Sequence, residues 1–346
     1  MSNITAPILS NLFTFGPIIV LFYLMNFSEK RRTESEPQKG QSLAVVLYVC
    51  LIIVFGLFIL IGLANHLLST IPTNGLEGLL PLSPLDQKSL KIIGLGLWIP
   101  SLIAIIVLIP AVRRGIAHLI PIDPTRRVHA ISLSLSLLVF IQLFTTLGIG
   151  LDILSETEQS QSLNDTLATI WSQDLLLVLL GFIGVGWLTH RNGKEALARL
   201  GIVKPTWKLI LLGIIFGVVF SYIAQLLELI AVQLGFTGDP DVNKLTEKWL
   251  GSLFTSTFGV ITLGVAAALG EETIFRGAMQ PRFGIILTAI LFTFTHANYG
   301  FSLSAVIVLI FAFVLGFLRQ RFNTTFTMIV HATYNMSLVV LPTLNL

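Results

Sequence analysis

The sequence predicts an all-α fold, a polytopic helical membrane protein with about ten membrane segments. Three observations carry this. Only 11% of the residues are charged and 54% are hydrophobic, with a mean hydropathy of +0.87. An average soluble domain is about 25% charged. Apolar runs recur at lengths near the roughly 20 residues that a helix needs to cross a bilayer core. Basic residues collect in alternate loops, the pattern that sets membrane orientation. The net charge of +3 gives no reason to expect a nucleic-acid partner.

The first run, 7–26, has no Lys or Arg before Lys30. It lacks the basic flank of a secretory signal and reads as a retained span. The run 42–67 holds Cys50, the single cysteine, which makes no disulfide framework. Runs 91–112 and 131–153 follow, and then a Ser/Gln/Thr-rich acidic stretch, 154–173, reads as a mobile outer loop. The next run is 174–190. "LARLGIVKPTWKL" is a short amphipathic cytoplasmic element that leads into 208–235. The last four runs are 252–283, interrupted by charges, 285–299, which is short, 301–318 and 322–344. The chain divides into an N-terminal membrane region, 1–205, whose role the sequence does not show, and a C-terminal part, 206–346, that holds most of the polar residues of interest.

Loop 27–41 holds Lys30, Arg31, Arg32 and Lys39; loop 113–130 holds Arg113, Arg114, Arg126 and Arg127; loop 191–208 holds Arg191, Lys194, Arg199, Lys204 and Lys208. Arg276, Arg282, Arg319 and Arg321 fall on the same side. Glu77, Asp86, Asp152, Glu156, Glu158, Asp165, Asp174, Asp239, Asp241 and Glu247 fall in the alternate loops, with only four lysines. The basic side is therefore expected to be cytoplasmic, with both termini outside.

Ionisable residues inside a span are costly and point to function. Glu271, Glu272 and Arg276 stand in "GEETIFRG" at the end of an uncharged apolar run. On a helix Glu272 and Arg276 are neighbours on one face, so they neutralise each other. Glu271 points about 100° away and is left free. A partly buried, unpaired carboxyl suits a general base. His296 ends "LFTFTH", and His331 and Asn335 share a face in "HATYN". Counted from Arg282, Gly284 and Arg321 at about 1.5 Å per residue, Glu271, His296 and His331 lie roughly 17, 18 and 15 Å deep. Three helices thus bring them to one level. Elsewhere, Glu228 has no evident partner, and His66, His118, His129 and His190 sit at span ends, where interfacial solvation accounts for them.

These residues carry a family resemblance. "EETIFR" fits E-E-x-x-x-R, "FTFTH" with Phe292 fits F-x-x-x-H, and "HATYN" fits H-x-x-x-N. In this order they resemble the CPBP family (CAAX protease and bacteriocin-processing, also Abi) of intramembrane glutamic endopeptidases. The resemblance covers roughly 250–343. "RLGIVKP" is similar to a segment upstream of the core in bacterial members. The resemblance implies a CPBP-like catalytic helix bundle and a hydrolase, in a bacterial plasma membrane, with its active site facing the cytoplasm. It implies Glu271 as the base that activates water, His296 as the residue that holds that water, and His331 and Asn335 as donors to the oxyanion. Glu272 and Arg276 would brace the site. Substrates of such a protease are peptides or proteins, including C-terminally lipidated and leader-peptide-like ones.

No cofactor is expected on this reading. Two alternatives stay open. Glu271, His296 and His331 form a two-His, one-carboxylate set of the kind that holds catalytic zinc, although H-E-x-x-H is absent. A non-enzymatic membrane scaffold, immunity protein or transporter could also reuse the fold.

Overall fold

The computed structural model describes residues 4–32, 35, 36, 38–71, 86–236 and 238–343. Parts of the 27–41 connector and Glu77 lie outside them. Among the described residues there are fourteen α-helices and no strands, so the chain is an all-α polytopic membrane protein. In order, they are α1 (Thr5–Lys30), α2 (Gln41–Leu68), α3 (Gln87–Ile106), α4 (Pro110–Ile116), α5 (Arg127–Ile149), α6 (Leu151–Thr157), α7 (Leu163–Gly184), α8 (Gly193–Leu200), α9 (Trp207–Gln233), α10 (Pro240–Phe254), α11 (Thr257–Glu272), α12 (Gln280–Thr295), α13 (Leu303–Arg321) and α14 (Thr324–Thr343). A π-helical turn, Thr273–Met279, joins α11 to α12. A 3₁₀ turn, Ala297–Tyr299, follows α12.

Eight described stretches are long and apolar enough to cross a membrane. One of them, Thr257–Thr295, has 39 residues. As one straight helix it would run about 58 Å, nearly twice the roughly 30 Å hydrocarbon core. It does not run straight. Gly284 has φ 74° and ψ 173°, and the chain turns there. Only glycine adopts that conformation without strain. The sequence-derived break between 252–283 and 285–299 therefore falls on this turn. The last sequence-derived run corresponds to α14, in which threonines, His331 and Asn335 dilute the apolar content.

One expectation is overturned. Much of 154–173 is helical: α6 covers Leu151–Thr157, and α7 begins at Leu163. Ser162 caps α7 by accepting from the Asp165 amide. The Ser, Gln and Thr that suggested a loop form a polar face of α7: Thr166, Thr169 and Gln173 line an internal cavity. Asp174 consequently sits near the middle of a span and is 4% exposed, not in an outer loop.

Small residues let the helices approach closely, as is common between membrane helices. An ideal Cβ on Gly62 of α2 would lie 2.8 Å from the Gly94 carbonyl oxygen of α3. Buried apolar side chains of α1, α2, α3 and α5 form one cluster that includes Met25, Phe55 and Ile131. A second, with Phe275, Phe283 and Phe292, joins α12 to α5 and α13. A third, with Phe311, Phe326 and Tyr334, joins α9, α13 and α14. Outward-facing residues such as Phe13, Val46, Leu60 and Phe258 are exposed and meet lipid.

Candidate active site

The site begins at the C-terminal end of α11. Glu272 and Arg276 are completely buried, with Arg276 Nε 3.5 Å from Glu272 Oε2. The Arg276 guanidinium lies 4.9 Å from the Phe292 ring centroid, over its face, an attractive placement for a cation. His331 of α14 closes the arrangement: its Nδ1 is 3.1 Å from Glu272 Oε1. The helix takes a π-helical turn at this point, a deviation frequent at functional sites.

Glu271 faces the other way. Its side chain is 17% exposed, and its Oε2 has no hydrogen-bond partner. His331 Nε2 lies 3.9 Å from that oxygen, too far for a hydrogen bond. His331 therefore stands between the two carboxylates, tied to Glu272 and facing Glu271. Phe292 and Phe311 fix its ring edge-on, with centroids at 6.0 and 5.5 Å.

His296 leaves the end of α12 with φ −89° and ψ 50°. Its Nδ1 is 3.0 Å from the Phe292 carbonyl oxygen. With Nδ1–H donating there, Nε2 is the acceptor left for other contacts. The ring stacks on Tyr299 at 5.7 Å. Asn335, one turn beyond His331, donates from Nδ2 to the Leu263 carbonyl at 3.3 Å.

Glu271, His296, His331 and Asn335 all line one cavity of about 1350 Å³. The structure thus brings together the four residues singled out from the sequence, with Glu272 and Arg276 packed behind them. Among the described residues no three His, Cys, Asp or Glu side chains are grouped closely enough to hold a metal ion.

The cavity also shows residues that sequence reasoning missed. Asp174 lines it from α7, and its Oδ1 has no partner. An ideal Cβ on Gly270 would lie 2.3 Å from that oxygen, so Asp174 packs directly on the residue before Glu271. The signal was present, a lone carboxylate before "LLLVLLGFIG", but placing the span boundary at 174 hid it. Tyr299 and Tyr334 line the cavity too. His129 and His190, ascribed above to interfacial solvation, also line it, as do Arg126, Arg191, Arg199 and Arg282. Its far wall comes from α1, α5 and α7, through residues such as Phe22, Leu138 and Leu177.

Residues 253–337 match the family model described as type II CAAX prenyl endopeptidase Rce1-like. No curated protein and no solved structure matches the chain. The matched stretch, under a third of the chain, contains Glu271, Glu272, Arg276, His296, His331 and Asn335. Residues 253–337 are thus similar to type II CAAX prenyl endopeptidases, and the chain that carries them is an integral membrane protein.

Proposed function

We propose that this protein is a glutamic intramembrane endopeptidase in which Glu271 activates the attacking water. One observation carries the reading. Of two adjacent glutamates, Glu272 is buried against Arg276 and His331, while Glu271, whose Oε2 makes no hydrogen bond, opens into the cavity shared with His296. Glu271 takes a proton from water as the oxygen attacks the peptide carbonyl. His296, through Nε2, holds that water in line. Nε2 of His331 and Nδ2 of Asn335 donate to the oxyanion. Such donors act strongly where water is excluded. When the tetrahedral intermediate collapses, Glu271 passes its proton to the leaving amine. Glu272 and Arg276 hold the helix turn and His331 in place.

The substrate is a peptide segment that enters from the basic, cytoplasmic side. C-terminally lipidated and leader-like segments both suit a cavity with apolar walls and a polar floor. On this reading 206–346 is the catalytic core, and 1–205 closes the cavity in a bacterial plasma membrane.

Glu271→Gln tests the proposal. Loss of general-base catalysis should lower cleavage by about 10²–10⁴-fold without changing thermal unfolding in detergent. Glu272→Gln should lower both activity and the unfolding temperature, because a buried partner charge is left alone. Comparing peptide ends in membranes from cells with wild-type or Glu271→Gln protein would name the substrate. A Glu271→Gln variant that cleaves it at the normal rate sinks the mechanism.

A further inference from the structure

The mechanism above leaves a buried carboxyl of the cavity unused. Asp174 stands near the middle of α7, outside the matched family segment, and is 4% exposed. It lines the cavity, and its Oδ1 has no hydrogen-bond partner. An ionisable residue inside a span is costly and points to function. Glu272 meets that cost with Arg276 and His331. No cation pairs with Asp174 among the described residues, and the charge that reaches it is that of Glu271.

Packing fixes Asp174 beside Glu271. About one turn earlier, Trp171 Nε1 donates to Thr262 Oγ1 of α11 at 3.2 Å. Asp174 itself lies against Gly270, which has no side chain to keep it away: an ideal Cβ there would be 2.3 Å from Oδ1. About two turns later, a Cβ on Gly181 would be 2.6 Å from Thr273 Cγ2. Contacts before, at and after Asp174 thus set the register of α7 on α11. Glu271 follows Gly270 directly, and its Oε2, like Asp174 Oδ1, is buried without a partner. Both residues line one cavity of about 1350 Å³, large enough for water. An ionised carboxylate only accepts hydrogen bonds, so two of them satisfy neither oxygen; one protonated carboxyl supplies the missing donor. Two carboxylates that share a site also resist ionising together.

The other polar groups have their own partners or stand apart. His331 Nδ1 is at Glu272, and its Nε2 is 3.9 Å from Glu271 Oε2. His296 Nδ1 is at the Phe292 carbonyl, and Arg276 is buried against Glu272. Tyr299 and Tyr334 face the cavity from the 3₁₀ turn and α14. Against α7, α1 sets the uncharged Asn11, which donates to the Thr169 carbonyl at 2.9 Å and to Ser172 Oγ at 2.7 Å. Lys248 of α10 donates to the Ser155 and Glu158 carbonyls, and Arg199 of α8 donates to the Gly277 carbonyl.

We propose that Asp174 is a positioning residue for cleavage: it and Glu271 hold one proton between them, across a water that bridges Asp174 Oδ1 and Glu271 Oε2. The proposal rests on the endopeptidase reading above. Asp174 keeps the proton and donates to the bridging water, which donates to Glu271 Oε2. The Glu271 carboxylate is thereby fixed, and Oε1 is left to take a proton from the attacking water. The proton count closes. The pair holds one proton before attack, two while the tetrahedral intermediate stands, and one again once Glu271 has passed its own to the leaving amine.

The test is infrared difference spectroscopy of the full chain in neutral detergent, titrated from acid to alkali. A protonated carboxyl has a carbonyl stretch that a carboxylate lacks. The band present in wild type and absent from Asp174→Asn belongs to Asp174, and it should persist at neutral pH. Glu271→Gln removes the neighbouring charge and leaves Asp174 in place. In that variant the band should vanish at a pH lower by at least about one unit. A role in helix packing alone predicts no such shift. Cleavage of a quenched fluorescent copy of the peptide found by comparing membranes gives a second readout. Asp174→Ala should lower kcat about tenfold at unchanged KM, and Asp174→Asn, which keeps a donor, should recover most of it. The proposal is overturned by an Asp174 band that titrates at the same pH with and without Glu271, by no such band at neutral pH, or by Asp174→Asn as slow as Asp174→Ala. Coupled titration in a chain whose wild type cleaves nothing would sink the endopeptidase reading and leave the carboxyl pair standing. Glu271-dependent cleavage beside an uncoupled band would do the reverse.

Discussion

Gly270 has no room for a side chain. A Cβ there would stand 2.3 Å from Asp174 Oδ1, 2.8 Å from its Cβ and 2.9 Å from its Cα. Gly270→Ala should therefore force α7 away from α11 and destabilise the protein by about 1–3 kcal/mol, the usual cost of overpacking. Activity should fall with it, because Glu271 is the next residue. Asp174→Ala in the same chain should rescue only part of the loss, since it removes the carboxyl but neither Cβ nor Cα. Thermal unfolding of the single and double variants in detergent checks this, and an unchanged transition in Gly270→Ala refutes it. The same residues show what was legible in the sequence. The split between Glu271 and Glu272 could be read because Arg276 lies on the same helix as its partner, at a spacing that fixes the face. Asp174 could not be joined to them. Its neighbour is ninety-odd residues away in the chain, and no local periodicity records a contact between helices.

Between elements, the turn at Gly284 decides the geometry of the site. It breaks the helix between the stretch that carries Glu271 and the one that ends at His296. Gly284→Ala should cost about 1–3 kcal/mol, because φ 74° with ψ 173° is open essentially to glycine alone. The expected readout is a lower unfolding temperature together with lost cleavage, since any relaxation of the turn shifts His296 relative to Glu271. Normal stability and activity would mean that the turn is not needed. Here the sequence was informative: Arg282 and Gly284 together mark a boundary by their chemistry. It misled at α7, where the polar residues of a helix face turned toward an internal cavity have the composition of a loop. It was silent about the π-helical turn at Thr273–Met279, which has no residue pattern of its own.

At the scale of the whole molecule, the matched family segment does not enclose its own cavity. Residues of α1, α5 and α7 supply the opposite wall, and Asp174 packs on α11 from that side. A chain of residues 206–346 alone would expose an apolar wall and the buried polar groups of the site at once. It should consequently be recovered as unstable material without cleavage activity. The two parts should nevertheless find each other. Thr324 donates its amide and its hydroxyl to the carbonyls of Gly201 and Leu200, while Thr325 accepts from the Val203 amide and donates to its carbonyl. These bonds cross the proposed boundary just before it, so a cut after Pro205 leaves them available between fragments. Co-expressed 1–205 and 206–346 should copurify in mild detergent and recover cleavage, and Glu271→Gln in the second fragment should abolish it. Should 206–346 alone cleave at the rate of the intact chain, the N-terminal helices would be an anchor only, and the cavity wall that they form would have no part in catalysis.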